Sequence, residues 1–205
     1  MAAIILEPVS TQSQIDTLCA IAKTVWHETY DDLLPPGQPD YMIEKFQSDH
    51  AVKEQMDREN YRYVLAKLGE AYVGFVGYAP RYQGQEEMYL SKAYILPQGR
   101  GQGVVGALFR LVEEETKKEG LSRVRLTVNK GNAHAKAVYE HYGYRTVEAV
   151  QSDIGGGYVM DDYVMVKELL GRGRAWNPCP GSSCWSSSPS TPKTGRLWTG
   201  CGSSR

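Results

Sequence analysis

Three glycines with the spacing of a phosphate-binding loop lie near the middle of the chain, in the segment LPQGRGQGVVGALFRL from Leu96 to Leu111. Gly101, Gly103 and Gly106 form the pattern G-x-G-x-x-G, which is typical of a loop that holds a dinucleotide. Because glycine lacks a Cβ, the main chain can approach phosphates, and the first amides of the following helix add N–H donors and a positive dipole end. The loop therefore predicts a phosphate-bearing cofactor, with Arg100 adding charge at its rim.

The same glycines are compatible with two different cofactors. A dinucleotide loop requires an acidic residue about 20 residues further on, where the next strand ends, to bind the ribose. Here the next predicted strand, RVRLTV, is followed by Asn129, and the motif lies near mid-chain rather than at the start of a domain. Gln98, Gly101 and Gly103 also match Q-x-x-G-x-G, the pattern of a loop that binds acyl-CoA. We favour the acyl-CoA interpretation.

A second motif follows about 30 residues later and reads Asn132-Ala133-x5-Tyr139-x3-Gly143-Tyr144. Together the two motifs resemble the GNAT superfamily of acetyl-CoA-dependent N-acetyltransferases, and the resemblance covers residues 87–144. Two segments outside this core, VWHETYDDLLPPGQPDYMIEKF and VMDDYVMVKEL, resemble the bacterial spermine/spermidine acetyltransferase-like branch of that superfamily.

The resemblance implies an α/β fold, in which helices flank a mixed, mostly antiparallel central sheet containing one splayed pair of parallel strands. Those strands would be Glu87–Leu96 and Arg123–Val128, with the pantetheine of acetyl-CoA paired to the main chain of the first strand. Asn132 would bond the pantetheine or cap the next helix, and the two roles are compatible. The residues implied in cofactor binding are Ala93, Tyr94, Ile95, Arg100, Gly101, Gln102, Gly103, Val104, Val105, Gly106 and Asn132.

The reaction implied is direct attack of a neutral amine on the thioester, which requires an acid for the departing thiolate and a base for the amine. Tyr139 stands where the family places its acid, although it could instead pack one helix face together with Tyr142. The base is not identified, because Ser91 occupies the strand position of a glutamate in animal polyamine acetyltransferases. Four side chains could act through water: His27, Glu28, Tyr30 and Glu87.

Charge predicts the class of acceptor. Five of the 23 basic residues follow Glu168 and no acidic residue does, so residues 1–170 carry 18 basic and 24 acidic side chains, a balance of about −6. This balance disfavours nucleic acid as a partner and suits a small amine, polyamines first. Ordinary surface solvation explains the same acids equally well. Candidate amine-binding residues are Glu28, Tyr30, Asp31 and Asp32, with Asp161 and Asp162 as a further acidic pair.

Two alternatives to small-molecule acetylation remain open. One is a protein or peptide N-acetyltransferase, and the other is a CoA-binding module without activity. The intact glycines, Asn132 and Tyr139 argue against the second.

The positioning elements follow from alternating strand and helix signals. Strands are predicted at 3–8, 63–68, 72–79, 87–96, 123–128, 145–154 and 158–169, and helices at 11–30, 41–59, 103–118 and 133–142, with DDLLPPGQPD as a loop. The helix at 41–59 is either continuous or broken at SDH. Residues 1–170 are thus predicted to form one domain.

The remaining 35 residues have a different composition. Gly, Ser and Pro make up 18 of them, and the segment holds three of the four Trp and three of the four Cys. We predict that residues 171–205 are a disordered, non-native tail. With Cys19 alone in the domain, no signal peptide and no apolar run of about 18 residues, the sequence predicts a cytoplasmic protein away from membranes. The histidine spacing predicts no metal site, and a homodimer is left open.

Overall fold

The computed structural model describes residues 3–169, and the predicted tail at 171–205 lies outside them. Within this range the chain forms seven strands and five α-helices. In chain order they are β1 (Ile4–Pro8), α1 (Gln12–Tyr30), α2 (Gln38–Gln47), α3 (Asp49–Arg58), β2 (Arg62–Leu68), β3 (Ala71–Pro80), β4 (Met88–Ile95), α4 (Val104–Lys118), β5 (Arg123–Asn129), α5 (Ala133–His141), β6 (Arg145–Gly155) and β7 (Tyr158–Glu168).

All seven strands belong to one sheet, in the order β1-β2-β3-β4-β5-β7-β6. Every neighbouring pair is antiparallel except β4 and β5, which run parallel. The predicted mixed, mostly antiparallel sheet with a single parallel pair is confirmed.

The parallel pair separates after a short contact. Met88 lies opposite Val124 and Tyr89 lies opposite Arg125, and no further residues of β4 and β5 are paired within the described chain. From there β4 continues beside β3, whereas β5 continues beside β7 as far as Asn129. The strands therefore diverge and open a gap in the middle of the sheet, which is the predicted splay.

Apolar side chains cover both faces of the sheet, as strand alternation requires. One buried cluster packs α4 onto the sheet and includes Leu108, Phe109 and Val112. The other packs α1 and α3 onto the opposite face and includes Leu18 and Phe75. The gap between β4 and β5 thus lies between two helical layers.

The segment predicted as one helix at 41–59, with a break at SDH left open, forms two helices that meet at Ser48. Helix α2 begins at Gln38, inside the predicted loop, because Gly37 takes a left-handed conformation (φ 84°) and Pro39 occupies the first turn, where its missing N–H costs nothing. Ser48 is extended and ends α2. Its Oγ then accepts a hydrogen bond from the Ala51 N–H and caps α3.

The β6–β7 hairpin is anchored to α2. Its Gly155–Gly157 turn has positive φ at all three residues, as the predicted GGG hairpin requires. The Tyr41 hydroxyl donates to the carbonyl of Ile154 at 2.7 Å, and Gln38 Nε2 donates to the carbonyl of Val159 at 3.2 Å. This contact holds the last two strands against the layer formed by the first helices.

Candidate active site

A cleft of about 1560 Å³ opens where β4 and β5 diverge. Val104, Val105 and Phe109 line it from the α4 side of the sheet, whereas Trp26, Tyr30 and Met42 line it from the α1 side. Because both sets of side chains face one continuous space, the cleft crosses the sheet through the gap. A ligand entering from one face can therefore meet a second ligand entering from the other.

The glycine-rich turn forms one end of this cleft. Gly101 (φ 72°) and Gly103 (φ 81°) adopt left-handed conformations, and Gly103 precedes α4 without a side-chain cap, which leaves the first amides of α4 for a ligand. Among the described residues, a Cβ added at Gly101 would meet nothing within 4 Å, and one at Gly103 would meet only Ile4 Cδ1 at 3.9 Å. Open space above bare N–H donors fits a pyrophosphate group.

Not all of the predicted cofactor residues line the cleft. Gln102 and Gly106 are not among the described residues that line the cleft. Gly106 is buried in the first turn of α4, where an added Cβ would stand 2.9 Å from the Tyr142 hydroxyl. Its absence of a side chain thus lets α5 pack closely on α4, and a role in binding a pyrophosphate stays a prediction.

Arg100 and Glu28 form a two-pronged ion pair at the same end. Nη1 and Nη2 of Arg100 donate to Oε1 and Oε2 of Glu28 at 2.7 and 2.8 Å. The hydrogen bond from Arg100 lowers the pKa of Glu28. Both side chains line the cleft. Arg100, predicted to contact the phosphates, and Glu28, predicted to bind the amine, are therefore paired with each other in this structure. An incoming phosphate would compete with Glu28 for Arg100.

The free edge of β4 forms the middle of the cleft. Ala93, Tyr94 and Ile95 pair with β3 on one side and have no partner in β5 on the other. The Tyr94 hydroxyl accepts a hydrogen bond from Trp26 Nε1 at 2.9 Å, which fixes its ring against α1. Main-chain groups at an unpaired strand edge bind extended ligands by adding to the sheet.

A β-bulge interrupts β4 before this edge. Tyr78 lies opposite Leu90 and Gly77 lies opposite Lys92, so Ser91 is the extra residue. An extra residue reverses the alternation of the strand. Leu90 accordingly packs in the α4-side cluster, whereas Lys92 contacts residues of the α1 side.

Tyr139 lines the cleft on α5. Its ring stacks on Phe109 at 5.7 Å between centroids and meets Tyr144 edge-on at 5.8 Å. Burial raises the pKa of its hydroxyl, so the group keeps its proton at neutral pH. The sequence left two roles open for Tyr139, acid and packing residue, and the structure places it where one side chain can serve both.

Asn132 caps α5, as one of its two predicted roles requires. Its Oδ1 accepts a hydrogen bond from the Ala135 N–H at 3.0 Å, and its Nδ2 donates to the Tyr30 hydroxyl at 3.3 Å. The Tyr30 ring in turn packs on Trp26 at 4.5 Å. The cap therefore connects the start of α5 to the end of α1 across the cleft, and contact of Asn132 with a cofactor stays a prediction.

The predicted acidic pairs are each divided by the structure. Asp32 lines the cleft, whereas Asp31 bonds His27 Nδ1 at 2.9 Å on the surface. Asp161 pairs with Lys130, whereas Asp162 lines the cleft and is only 9% exposed. Glu87, considered as a base, lies between Arg123 and Arg125.

Sequence reasoning missed Lys92, a buried lysine that lines the cleft. Its Nζ donates to Gln55 Oε1 at 2.6 Å and to the Tyr63 hydroxyl, and it lies over the rings of Tyr61 and Tyr63 at 5.2 and 4.9 Å. Burial lowers the pKa of Lys92 to about 7. A lysine inside the apolar strand MYLSKAYI was the signal that could have identified it.

In residues 3–169, metal binding would depend on clustered side chains, and membrane spanning on the length and composition of the helices. No three His, Cys, Asp or Glu side chains of this part of the chain cluster closely enough to hold a metal ion. None of its helices has both the length and the apolar composition needed to cross a membrane.

Residues 25–144 match the model of a family described as the Acetyltransferase (GNAT) family. Uncharacterised N-acetyltransferases of Mycobacterium bovis and Mycobacterium tuberculosis are 35% identical over 96 residues, which is 46% of this chain. The chain spans about three fifths (61%) of the length of these relatives.

Solved structures share the fold at low identity. PaiA N-acetyltransferase from Thermoplasma acidophilum, crystallised with coenzyme A, is 19% identical with a TM-score of 0.66, and the match covers 81% of this chain and 99% of that one. A GCN5-related N-acetyltransferase from Rhodopseudomonas palustris is 16% identical with a TM-score of 0.68, over 82% and 98% of the two chains.

Proposed function

Because the chain belongs to the GNAT acetyltransferase family, we propose that it transfers acetyl from acetyl-CoA directly to a primary amine of a small molecule, with polyamines favoured. The observation that carries the proposal is the cleft through the sheet, with the glycine turn at one end and Tyr139 and carboxylates along its length. Such a cleft brings two substrates together without a covalent enzyme intermediate.

Acetyl-CoA supplies the activated acetyl group as a thioester. The first amides of α4 and the Gly101–Gly103 turn would hold its pyrophosphate, with Arg100 at the rim. The open edge of β4 at Ala93–Ile95 would hold the pantetheine by main-chain hydrogen bonds.

Tyr139 holds the proton that the leaving sulfur requires. A phenol has an ordinary pKa of about 10, and burial raises that of Tyr139 further, so the hydroxyl is protonated throughout the neutral range. A protonated hydroxyl can hydrogen-bond a departing thiolate and give up its proton as negative charge develops on sulfur.

Charge in the cleft supports a cationic acceptor. Asp32, Glu59 and Asp162 line it, and the predicted domain carries about six more acidic than basic side chains. Spermidine and spermine carry several ammonium groups, so one can react while a carboxylate holds another. The resemblance of residues 25–46 and 159–169 to the spermine/spermidine acetyltransferase-like branch supports the same acceptor.

A panel of amines tests the acceptor class. CoA thiol release would be measured with spermidine, with a monoamine of similar length, and with a peptide bearing a free N-terminus. We expect kcat/KM to be highest for spermidine and its advantage over the monoamine to shrink with added salt, because salt screens the second ammonium. Equal rates for both amines would remove the polyamine assignment, and activity on the peptide alone would indicate a protein acetyltransferase.

The role of Tyr139 has its own test. Tyr139→Phe is expected to lower kcat by about 10- to 1,000-fold with little change in acetyl-CoA affinity, because only the proton donor is lost. Tyr144→Phe is the matched control, since Tyr144 packs on the same Phe109 ring but does not line the cleft. A kcat for Tyr139→Phe within about twofold of wild type would make Tyr139 a packing residue.

A further inference from the structure

Asp162 is a buried carboxylate without a complete set of partners. It lies on β7, opposite Asn129 of β5 and Val150 of β6, and it lines the cleft while only 9% exposed. Its Oδ1 is fully buried, and no hydrogen bond reaches that atom from any residue in the described part of the chain. A carboxylate oxygen in this position is costly to ionise unless a donor is supplied.

The charges around Asp162 do not supply that donor. Three ionisable groups interact electrostatically with the Asp162 carboxylate: Asp161, Lys130 and Tyr30. Asp161 repels the ionised carboxylate, Lys130 attracts it but is itself paired with Asp161, and Tyr30 is hydrogen-bonded to Asn132. Burial and the neighbouring Asp161 raise the pKa of Asp162 to about 6. Lys130 is thus the one cation among these three groups, and Asp161 already holds it.

Asp162 also shares the cleft with the proposed acid, Tyr139. Its charge opposes ionisation of Tyr30, and Tyr30 in turn opposes ionisation of Tyr139. All three side chains line the same cleft, and the Tyr30 hydroxyl also accepts a hydrogen bond from Asn132, which caps the helix that carries Tyr139. An amine bound by Asp162 would lie in the cleft that also holds the group proposed to protonate sulfur.

Other carboxylates of the cleft are less suited. Glu28 is held by Arg100, and Asp32 and Glu59 are exposed to solvent. Among the cleft-lining acids of residues 3–169, Asp162 alone is buried. Burial strengthens the attraction of a carboxylate for an ammonium.

Building on the proposed acetyl transfer, we propose that Asp162 binds the reacting ammonium of the acceptor and accepts the proton that this nitrogen must lose.

One proton moves from nitrogen to an Asp162 oxygen, and the freed lone pair forms the C–N bond to the acetyl carbon. As the C–S bond breaks, sulfur keeps that bonding pair and takes a proton from Tyr139. Tyr139 then recovers the proton remaining on the new amide nitrogen. Asp162 releases its proton to water, so each turnover yields the amide, the CoA thiol and one proton. A base on β7 would account for a reaction in which Ser91 occupies the β4 position of the glutamate.

The test compares Asp162→Asn with Asp161→Asn, the neighbouring acid that pairs with Lys130. Asp162→Asn should lower kcat/KM at pH 7 by about 10- to 1,000-fold. In a plot of kcat/KM against pH, it should also remove the acid limb, which is the fall in activity that the wild type shows below about pH 6. Activity should return as pH rises, because the free amine then forms without a base. Asp161→Asn should keep the plateau rate and move the limb to slightly lower pH, because one repelling charge is gone. Asp162→Ser replaces the Asn variant if that protein does not fold.

A second readout does not depend on turnover. Calorimetry of spermidine binding to the protein without acetyl-CoA should show a loss of affinity of about tenfold or more for Asp162→Asn and little change for Asp161→Asn. An unchanged affinity, rate and acid limb in Asp162→Asn would overturn the inference while leaving wild-type acetylation intact. A wild type that binds spermidine through Asp162 but acetylates no amine would overturn the proposed function and the proton transfer, and leave the ammonium site. Absence of both spermidine binding and acetyl transfer in the wild type would overturn the proposed function and the role of Asp162 together.

Discussion

Lys92 and Asp162 are both buried, both line the cleft and both have pKa values moved toward neutrality by burial, yet their surroundings differ. Lys92 donates to Gln55 Oε1 and to the Tyr63 hydroxyl and lies over two tyrosine rings. Asp162 has a buried Oδ1 that no described residue reaches. One ionisable group is therefore satisfied by the fold, and the other is left for a ligand.

This difference separates structural from functional buried charge. A buried polar group that has its partners specifies packing, and removing it leaves those partners unsatisfied. A buried polar group without partners weakens the fold, and removing it stabilises the protein. Stability and activity should therefore respond in opposite ways at the two positions.

Lys92→Ala should show the largest effect. We expect a loss of about 2–4 kcal/mol of unfolding free energy, because the substitution opens a cavity beside Tyr61 and Tyr63 and leaves Gln55 with fewer donors. Lys92→Met is the matched control, since it retains the aliphatic stem and should lose clearly less. Urea denaturation at pH 7 measures both, and a change below about 0.5 kcal/mol for Lys92→Ala would contradict the structural role.

Asp162→Asn should show an intermediate effect of opposite sign. The carboxyl has a pKa of about 6 in the fold against an ordinary value of 3.8, so between these values the folded state binds more protons than the unfolded state. Wild-type stability therefore falls as pH rises through this window, and the amide has no such loss. We expect the variant to exceed the wild type by about 1–3 kcal/mol above pH 7, with the difference closing below about pH 4. Chemical denaturation across this range would show it, and a less stable variant at pH 8 would mean that Asp162 has partners after all.

Glu28→Gln should show the smallest effect. The Glu28–Arg100 pair has good geometry, but its side chains are 38% and 46% exposed, so water screens the attraction. We expect a change in stability of less than about 1 kcal/mol. Because Arg100 is then free, CoA should bind more tightly, which calorimetry can measure. A large loss of stability would show that the Glu28–Arg100 pair contributes more to the free energy of unfolding than its exposure to solvent indicates.

The sequence predicted the local units in which residue type alone sets the conformation. The Gly101–Gly103 turn before α4, the Asn132 cap of α5 and the hairpin at Gly155–Gly157 each depend on chemistry that only a few residues provide. These units also carry most of the predicted cofactor site, which is why they were identified together.

The rest depends on register and on distant contacts. Simple alternation along β4 predicts that Leu90 and Lys92 lie on the same face of the sheet. The extra residue Ser91 instead places Lys92 on the opposite face from Leu90. The bulge that causes this has no sequence signal of its own. Asp161 and Asp162 are adjacent and identical in type, and only the pairing of β7 with β5 decides which one faces the cleft. Gly37 and Pro39 were interpreted as loop residues, although the same pair begins α2.

The divergence of β4 and β5 has a mechanical consequence. The gap divides the sheet into a four-stranded half (β1–β4) and a three-stranded half (β5, β7, β6). Within residues 3–169, only two residue pairs join the strands of one half to those of the other. A ligand seated in the gap would fill the missing seam between the halves, hydrogen-bonded to one and packed against the other. Its binding energy would thus add directly to the cohesion of the sheet, since any ligand that binds only the folded state stabilises it by mass action.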